Sequence, residues 1–340
     1  MQILVTGGAG YIGTHTCVAL LNAGHQVVVI DNFSNSHPQA LKRVEAITGQ
    51  SITCFEGDVG DKALLQRVFS QYDFDGVIHF AGSKAVGESV EKPLMYYRNN
   101  VTASQTLIEC MLEADVQALV FSSSATVYGD PHTVPIDESF PLAPTNPYGR
   151  SKYIVELVMQ DTCVAFERFS AIILRYFNPV GAHPSGLIGE DSNGIPNNLM
   201  PFIAQVACGK REQLSVFGND YPTSDGTGVR DYIHVCDLAE GHVAALEQLA
   251  ANPGSHIINL GTGQGVSVLE MVKAYEAASE RAVPYKFAPR RPGDVAKCYA
   301  NANRAKSLLG WQATRELTDM VASSWHWQSN NPNGYKGDKE

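Results

Sequence analysis

The feature that most constrains the fold is a glycine-rich turn near the start of the chain. The apolar residues 3–6 lead into Gly7, Gly10 and Gly13, a helical pattern follows, and a second apolar run then ends in Asp31. The G-x-x-G-x-x-G spacing is a variant of the dinucleotide-binding fingerprint. The first two glycines allow a tight turn that approaches a pyrophosphate, and the third allows close packing of helix on strand. The helix N-terminus offers free N–H groups to phosphates.

Asp31 indicates which dinucleotide this turn would hold. It lies where a carboxylate would accept hydrogen bonds from an adenosine ribose, and its charge would repel a 2′-phosphate, so NAD is favoured over NADP. A glycine turn in some other α/β protein is the alternative. The strand before the turn, the helix after it and the acid at this distance favour the cofactor site.

Composition excludes several classes of function. The 340 residues have a net charge of −10, which argues against general binding of nucleic acid or anionic membranes. The 7 cysteines form no C-x-x-C pair, which predicts reduced thiols and a cytoplasmic protein. The first predicted strand begins at once, so we expect no signal peptide, and no apolar run reaches membrane-spanning length.

Strand and helix patterns alternate through the first half of the chain. Apolar runs predict strands at the following ranges: 52–56, 76–80, 118–122 and 171–176. Helical patterns separate them at 63–70, 93–114 and 147–168. This alternation predicts an α/β fold with a doubly wound, Rossmann-type parallel sheet. Asp58, residues 80–82 and residues 122–124 follow predicted strands, so they should line one cleft at the carboxyl edge of the sheet.

The second half of the chain predicts a smaller, loop-rich substrate domain. Residues 178–230 are rich in Pro, Gly and Asn, whereas 237–250 and 268–279 read as helices. We therefore predict a cofactor domain over 1–177 and a mainly substrate-binding domain over 178–340. A strand near 256–260 should return to the main sheet.

Tyr148 and Lys152 form a candidate catalytic pair. Residues four apart share a helix face, so the lysine ammonium should lie beside the phenol and lower its pKa. An oxidised nicotinamide would lower it further, producing a base that can take a proton from a sugar hydroxyl. Ser124, at a strand end, could bind the same hydroxyl. A lone Y-x-x-x-K arises by chance in many helices, but the glycine turn and the serine run favour catalysis.

The histidines do not predict a metal site. His79, His183 and His234 match no ligand spacing and accompany no His/Cys cluster, so structural hydrogen bonding is expected. The predicted set of metal ligands is therefore empty.

Longer motifs carry a resemblance to a known family. They are residues 79–82 (HFAG), 84–89 (KAVGES), 122–129 (SSSATVYG), 175–179 (RYFNP), 228–235 (GVRDYIHV) and 290–294 (RRPGD). Together with the glycine turn and the Tyr–Lys pair, the chain resembles the extended short-chain dehydrogenase/reductase superfamily and, within it, the UDP-glucose 4-epimerase family. The similarity runs from Met1 to about Trp327.

The resemblance implies a tightly held NAD and a reversible 4-epimerisation of UDP-galactose and UDP-glucose through a 4-keto sugar. Besides Gly7, Gly10 and Gly13, it implies these NAD contacts: Tyr11, Ile12, Asp31, Asn32, Asn35, Ser36, Asp58, Val59, Phe80, Ala81, Lys84, Asn99, Lys152 and Phe177. It implies these UDP-sugar contacts: Ser124, Tyr148, Asn178, Asn198, Leu199, Phe217, Arg230, Arg291 and Asp294. Arg230 and Arg291 would be the local cations that an acidic protein needs for a diphosphate.

Other functional interpretations of the sequence remain open at this point. A 4,6-dehydratase carries an Asp-Glu pair before Val-Tyr-Gly and a decarboxylase a Glu at the second position, whereas this chain has Ala125 and Thr126. A non-catalytic NAD-binding regulator typically lacks the Tyr–Lys pair. The resemblance also implies a homodimer through the helices 93–114 and 147–168, paired into a four-helix bundle.

Cys298 bears on substrate breadth. In the family, the position four residues after the Asp of the Arg-x-Gly-Asp motif lies near C2 of the hexose, and here that position is Cys298, with Tyr299 beside it. A small residue leaves room for an acetamido group that a phenol would exclude, so UDP-GlcNAc and UDP-GalNAc are expected as further substrates. Alternatively, Cys298 is a small buried residue and other walls set the limit.

Overall fold

The computed structural model describes residues 1–191, 196, 198–291 and 293–337. The strands are β1 (Gln2–Thr6), β2 (Gln26–Asp31), β3 (Thr53–Glu56), β4 (Gly76–His79), β5 (Ala118–Ser124), β6 (Ser170–Tyr176), β7 (Asn178–Val180), β8 (Leu214–Phe217), β9 (Val229–Arg230), β10 (Tyr232–His234), β11 (Ser255–Leu260), β12 (Val266–Ser267), β13 (Tyr285–Ala288) and β14 (Lys297–Cys298).

The α-helices are α1 (Tyr11–Asn22), α2 (Pro38–Thr48), α3 (Lys62–Gln71), α4 (Val86–Glu91), α5 (Pro93–Tyr96), α6 (Ala103–Glu113), α7 (Pro147–Ala165), α8 (Leu199–Ala207), α9 (Val235–Ala251), α10 (Val268–Ser279), α11 (Asn303–Leu309) and α12 (Leu317–Asn330). A π-helical segment, Tyr97–Thr102, joins α5 to α6, and short 3-10 helices occupy Ala125–Tyr128 and Gly334–Gly337.

The main sheet has seven strands in the order β11-β6-β5-β4-β1-β2-β3, and every pairing in it is parallel. This confirms the predicted α/β, doubly wound fold. β11 pairs with β6 in the register Ile257 with Ile173, so a strand from the second half of the chain forms one edge of the sheet. The division into domains at residue 177 stays a prediction.

Successive side chains along each strand point to opposite faces of the sheet, which divides the core into two layers. Ile3 and Val5 of β1 face one cluster with α1 and α9, whereas Leu4 faces a second cluster with α3, α6 and α7. All seven residues of β6 are buried. Strands buried on both faces are typical of parallel sheets covered by helices, because the crossovers place a helix layer on each side.

A smaller cluster lies outside the sheet. Ile203 of α8, Met271 of α10 and Met320 of α12 pack together with β8. The segment predicted as loop-rich therefore contains a helix, α8, whose apolar residues are anchored in this cluster. Among the described helices, none is long and apolar enough to cross a membrane.

Two predicted boundaries differ from the structure for physical reasons. β5 continues through Ser124, because its last three residues pair with Leu174, Arg175 and Tyr176 of β6. The helix predicted over 93–114 is not α-helical throughout, because residues 97–102 form a π-helical segment within it. Such bulges are frequent at functional sites.

Two helical glycines supply a test of the packing at the first crossover. A β-carbon on Gly13 would lie 2.3 Å from the Gly7 carbonyl oxygen, whereas one on Gly87 would meet nothing within 4 Å. We predict that Gly13→Ala lowers the free energy of unfolding by about 1–3 kcal/mol through overpacking. The matched Gly87→Ala should leave it unchanged or raise it by roughly 0.5–1 kcal/mol, since it only removes backbone freedom. Urea unfolding measures both, and equal values for the two variants would contradict the steric argument.

Candidate active site

The turn between β1 and α1 is tightly packed at its glycines. Gly7 adopts a positive φ of 70°, and a β-carbon there would lie 2.8 Å from the backbone nitrogen of Ala81. Gly10 is the N-cap of α1, and no side chain caps this helix end. Tyr11 and Ile12 form its first turn, so free N–H groups at a helix N-terminus face the carboxyl edge of the sheet. This is the geometry that binds phosphates.

Asp31, the last residue of β2, is a buried carboxylate that ties the turn to the next loop. It accepts from Ala9 N at 2.9 Å, from Phe33 N at 2.9 Å and from Ser36 Oγ at 2.7 Å. Asp31 therefore organises the backbone around the site. This second role was not predicted from the sequence.

The remaining predicted cofactor residues gather on the loops that follow the neighbouring strands. Asn32 donates to Asp58 Oδ2 at 3.0 Å, which joins the loops after β2 and β3, and Asn35 is exposed in the first of these. Val59 is buried after β3. Phe80, Ala81 and Lys84 follow β4, and Phe177 follows β6.

The π-helical segment aims two asparagines at the loop after β4. Asn99 Nδ2 donates to Ser83 Oγ at 2.9 Å, and Asn100 Oδ1 accepts from Ser83 N at 2.8 Å. Asn100 Nδ2 also donates to Ser151 Oγ of α7 at 2.9 Å. The segment thereby holds the cofactor loop against the catalytic helix.

The candidate catalytic residues meet at the end of β5. Lys152 Nζ of α7 donates to the carbonyl oxygen of Ser122 at 2.7 Å and lies 4.8 Å from the centre of the Phe121 ring. Tyr148, one turn earlier on α7, lies near Ser124, whose hydroxyl lowers the pKa of the phenol. The structure thus brings together all three predicted catalytic residues at one strand end.

Burial sets the ionisation of this pair. It raises the pKa of the Tyr148 phenol, and the nearby Ser124 hydroxyl opposes that effect. Burial lowers the pKa of Lys152 to about 8, and Glu156 opposes it. The lowered phenol pKa expected from the sequence is therefore not found in this structure, because desolvation of the phenol raises its pKa and Lys152 donates its hydrogen bond to β5. A cationic ligand would shift the phenol pKa downward.

A buried polar network behind the pair was not predicted. Glu156 of α7 and Arg175 of β6 form an ion pair, with Arg175 Nε 3.0 Å from Glu156 Oε1. Ser123 also donates to Glu156, and Arg175 Nη1 reaches the Tyr128 hydroxyl at 3.2 Å. The four-residue spacing from Lys152 places Glu156 on the same helix face, but no local pattern links Glu156 to Arg175.

A second group of charges lies in the C-terminal part of the chain. Arg291 Nε donates to Asp294 Oδ2 at 2.9 Å, and the Arg291 guanidinium lies 4.8 Å from the centre of the Phe217 ring. Arg230 Nη2 is 3.8 Å from Asp294 Oδ1. Two arginines therefore converge on one carboxylate beside an exposed aromatic ring, as expected for a site that takes an anion with an aromatic base.

One carboxylate joins the two predicted ligand sets. Glu190 Oε1 accepts from Lys84 Nζ at 3.4 Å and from Asn198 Nδ2 at 3.0 Å. Asn198 caps α8, and Leu199 is the first residue of that helix. Asn178 of β7 donates its backbone N–H to Asp231 O at 3.0 Å, which places it next to Arg230. Glu190 was not predicted from the sequence.

The side chains of Cys298 and Tyr299 contact different parts of the protein. Cys298 packs against the cluster that contains Ala125, Tyr128 and Phe177, next to the catalytic strand end. A β-carbon on Gly265 would lie 3.0 Å from Tyr299 Cδ1, so the tyrosine side chain covers that glycine. Cys298 is therefore the residue of the two that adjoins the catalytic region.

The histidines of the motifs take part in hydrogen bonds within the protein. His79 lies between Thr6 Oγ1 at 2.6 Å and Ser104 Oγ at 2.8 Å, and burial lowers its pKa to about 3. His234 Nδ1 accepts from Cys236 N at 3.0 Å. Within the described ranges, no group of three or more His, Cys, Asp or Glu side chains is placed to hold a metal ion.

Comparisons with known proteins agree with this arrangement. The family model described as GDP-mannose 4,6 dehydratase matches residues 4–324. The UDP-glucose 4-epimerase of Bacillus subtilis (strain 168) is 61% identical over 336 residues, which cover 99% of each chain. The human UDP-glucose 4-epimerase is 57% identical over 341 residues, 98% of each chain.

A solved structure extends the similarity to three dimensions. The crystal structure of UDP-glucose 4-epimerase from Bifidobacterium longum in complex with NAD+ and UDP superimposes with a TM-score of 0.95 at 54% identity. The match covers 98% of this chain and 100% of that one.

Proposed function

The chain belongs to the UDP-glucose 4-epimerase family, and from that premise we propose how its residues carry out the reaction. It is an isomerase that uses NAD to interconvert UDP-galactose and UDP-glucose by 4-epimerisation through a 4-keto intermediate. The observation that carries the proposed mechanism is the meeting of Ser124, Tyr148 and Lys152 at one strand end beside the glycine turn.

The residues around the glycine turn fit NAD. The turn is a cradle that a β-carbon on Gly7 would fill, and the uncapped N-terminus of α1 offers its N–H groups to a pyrophosphate. Asp31 would accept from the adenosine ribose, and Lys84, Asn99 and Phe177 would contact the rest of the molecule. The first turn of α1 and the loops after β2, β3 and β4 complete the set: Tyr11, Ile12, Asn32, Asn35, Ser36, Asp58, Val59, Phe80 and Ala81. When bound, NAD supplies a reversible hydride acceptor.

Tyr148 is the general base for the C4 hydroxyl. The Lys152 ammonium stabilises its phenolate, and Ser124 hydrogen-bonds the same hydroxyl and aligns it with the phenol. The proton returns from Tyr148 to the opposite epimer, so one residue serves both directions.

The substrate is held by its nucleotide rather than by its hexose. Arg230 and Arg291 would bind the diphosphate, with Asp294 orienting both guanidinium groups. Phe217 would stack on the base, and Asn178, Asn198 and Leu199 would close the site from the other side. Tight binding of the UDP group leaves the 4-keto hexose free to rotate, so that its opposite face can accept the returning hydride.

A dehydratase is disfavoured by the residues that follow Ser124. At the position of the catalytic acid pair this chain has Ala125 and Thr126, and the Thr126 hydroxyl donates to Ser124 Oγ at 2.9 Å. A hydroxyl in this place supplies no carboxyl group for elimination. The description of the family model therefore names a relative's chemistry and not that of this chain.

We also infer dual substrate range, a homodimer and a cytoplasmic location. Cys298 adjoins the catalytic region and is small, which leaves space for an N-acetyl group.

The homodimer is supported by exposed apolar side chains. Leu94 of α5 and Val164 of α7 are 78% and 84% exposed on the helices predicted to pair, and a partner subunit would cover them. All 7 cysteines are free, as expected where thiols stay reduced, and cell fractionation would test this location.

The first prediction concerns the base. Tyr148→Phe should lower kcat by about 10²–10⁴-fold, since general base catalysis is worth that much. It should retain its NAD, identified by chromatography after denaturation, because the phenyl ring keeps the packing. Lys152→Ala, by contrast, should lower both turnover and NAD content. Wild-type turnover by Tyr148→Phe would refute the base assignment.

The second prediction concerns substrate breadth. The wild-type protein should interconvert UDP-GlcNAc and UDP-GalNAc, and Cys298→Tyr should remove this activity while leaving that with UDP-galactose. Cys298→Ser, which keeps the volume, is the control and should retain both activities. A wild-type enzyme that turns over UDP-galactose but makes no product from UDP-GlcNAc would show that other walls set the limit.

The third prediction concerns assembly. Size-exclusion chromatography with light scattering should give twice the chain mass of 36.8 kDa. Leu94→Asp together with Val164→Asp should shift the protein toward the monomer, because buried like charges oppose the interface. The matched control is Val86→Asp, also at an exposed position. A monomeric wild-type protein at micromolar concentration would overturn the inference.

A further inference from the structure

A buried ion pair lies behind the candidate base. Glu156 follows Lys152 by four residues and Tyr148 by eight on α7, so the three side chains occupy one side of the helix. The side chains of Glu156 and Arg175 are 0% and 1% exposed. Arg175 Nε lies 3.0 and 3.2 Å from the two carboxylate oxygens, and Ser123 donates to the same carboxylate.

Stability alone is a weak reason for this pair. Removing two charges from water costs several kcal/mol per ion, and apolar residues of similar volume are often at least as stabilising. The network that surrounds the pair is nonetheless extensive. Arg175 Nη1 reaches the Tyr128 hydroxyl, which donates to Asn259 Oδ1 at 2.6 Å. The carboxylate is thus held by residues of β5 and β6, and the network around it extends to β11 and one 3-10 helix.

The surroundings of Lys152 indicate what the carboxylate does. The titratable groups around Lys152 are Tyr148 and Glu156 on its own helix, neutral His79 on β4, and Arg175 and Tyr176 on β6. Tyr176 bonds to Ser122, whose carbonyl oxygen accepts from Lys152. Among these groups, within the described chain, Glu156 is the one that bears a negative charge.

We propose that Glu156 is a positioning residue for the epimerase reaction, which keeps Lys152 in its ammonium form beneath Tyr148. The proposal rests on the proposed function of Lys152. Arg175 and Ser123 hold the carboxylate in place, and Glu156 touches neither substrate nor cofactor. It acts through the lysine.

The energetics of Lys152 support this role. Burial lowers the pKa of Lys152 to about 8, and Glu156 raises it. Without the carboxylate, Lys152 would lose its proton at lower pH. A neutral amine no longer stabilises the phenolate, so activity should fall as pH rises through the lysine pKa. In a protein without the Glu156 carboxylate, that fall should begin at a lower pH.

The test is the pH profile of kcat/KM with UDP-galactose. Glu156→Gln should move the alkaline fall toward lower pH by about one unit or more, since a nearby opposite charge shifts a pKa by that amount. KM at pH 6.5 should change less than the alkaline limb, because Glu156 is fully buried and is not among the residues assigned to the nucleotide. Glu156→Asp keeps the charge and should keep the alkaline limb close to that of the wild type.

Two further variants keep the result interpretable. Glu156→Gln leaves Arg175 buried without its partner, so Glu156→Gln combined with Arg175→Gln removes both charges and should fold while still showing the earlier alkaline fall. Asp161→Asn removes an exposed charge from the same helix and should leave the profile unchanged. Thermal unfolding and NAD content establish that each variant is folded and loaded.

The outcomes separate this inference from the mechanism it rests on. A folded, NAD-loaded double variant with the wild-type alkaline limb would overturn the role of Glu156, as would Glu156→Asp moving the limb as far as Glu156→Gln. If instead Tyr148→Phe and Lys152→Ala keep wild-type turnover, the assignment of the base pair fails first.

Discussion

The contact between the Gly7 turn, Gly13 and the end of β4 is the constraint on which the site depends. A β-carbon on Gly13 would lie 2.3 Å from Gly7 O, and one on Gly7 would lie 2.8 Å from Ala81 N. These are backbone atoms, which cannot move aside as a side chain can. The close approach brings α1 onto the sheet with its N-terminus at the carboxyl edge, where Asp31 fixes the turn through Ala9 N. The loops after β3, β4, β5 and β6 then face the same cleft because all these strands are parallel.

The end of β5 shows how one strand can serve several purposes at once. Ser122 accepts a hydrogen bond from the Lys152 ammonium on its carbonyl oxygen, Ser123 donates to Glu156, and the Ser124 hydroxyl lies near Tyr148. Three consecutive small residues thereby fix three levels of α7 relative to the sheet. Precise placement of the phenol follows from this repeated attachment and not from any single bond.

The sequence predicted the sheet, its helices and the proximity of Ser124, Tyr148 and Lys152 because each leaves a local pattern. Apolar runs mark β1 and β2, glycine spacing marks the turn, and four-residue spacing marks Tyr148 and Lys152. The Glu156–Arg175 pair joins a helix to a strand, and the bridge from Lys84 through Glu190 to Asn198 spans more than one hundred positions of the chain. Such partners are set by tertiary packing, and no local pattern identifies them. The expected lowering of the Tyr148 pKa likewise overlooked burial, which one sequence does not quantify.

The position of β11 has a consequence for how the protein is made. β6 is complete at Tyr176, but the strand that pairs with its free side begins at Ser255. During translation, β6 leaves the ribosome well before its partner, and its row of backbone N–H and C=O groups stays open in the meantime. Residues 171–174 of β6 are apolar and buried in the folded protein, so this nascent edge is largely apolar as well as unpaired. Such an edge is a template for aggregation until the last strand of the sheet arrives.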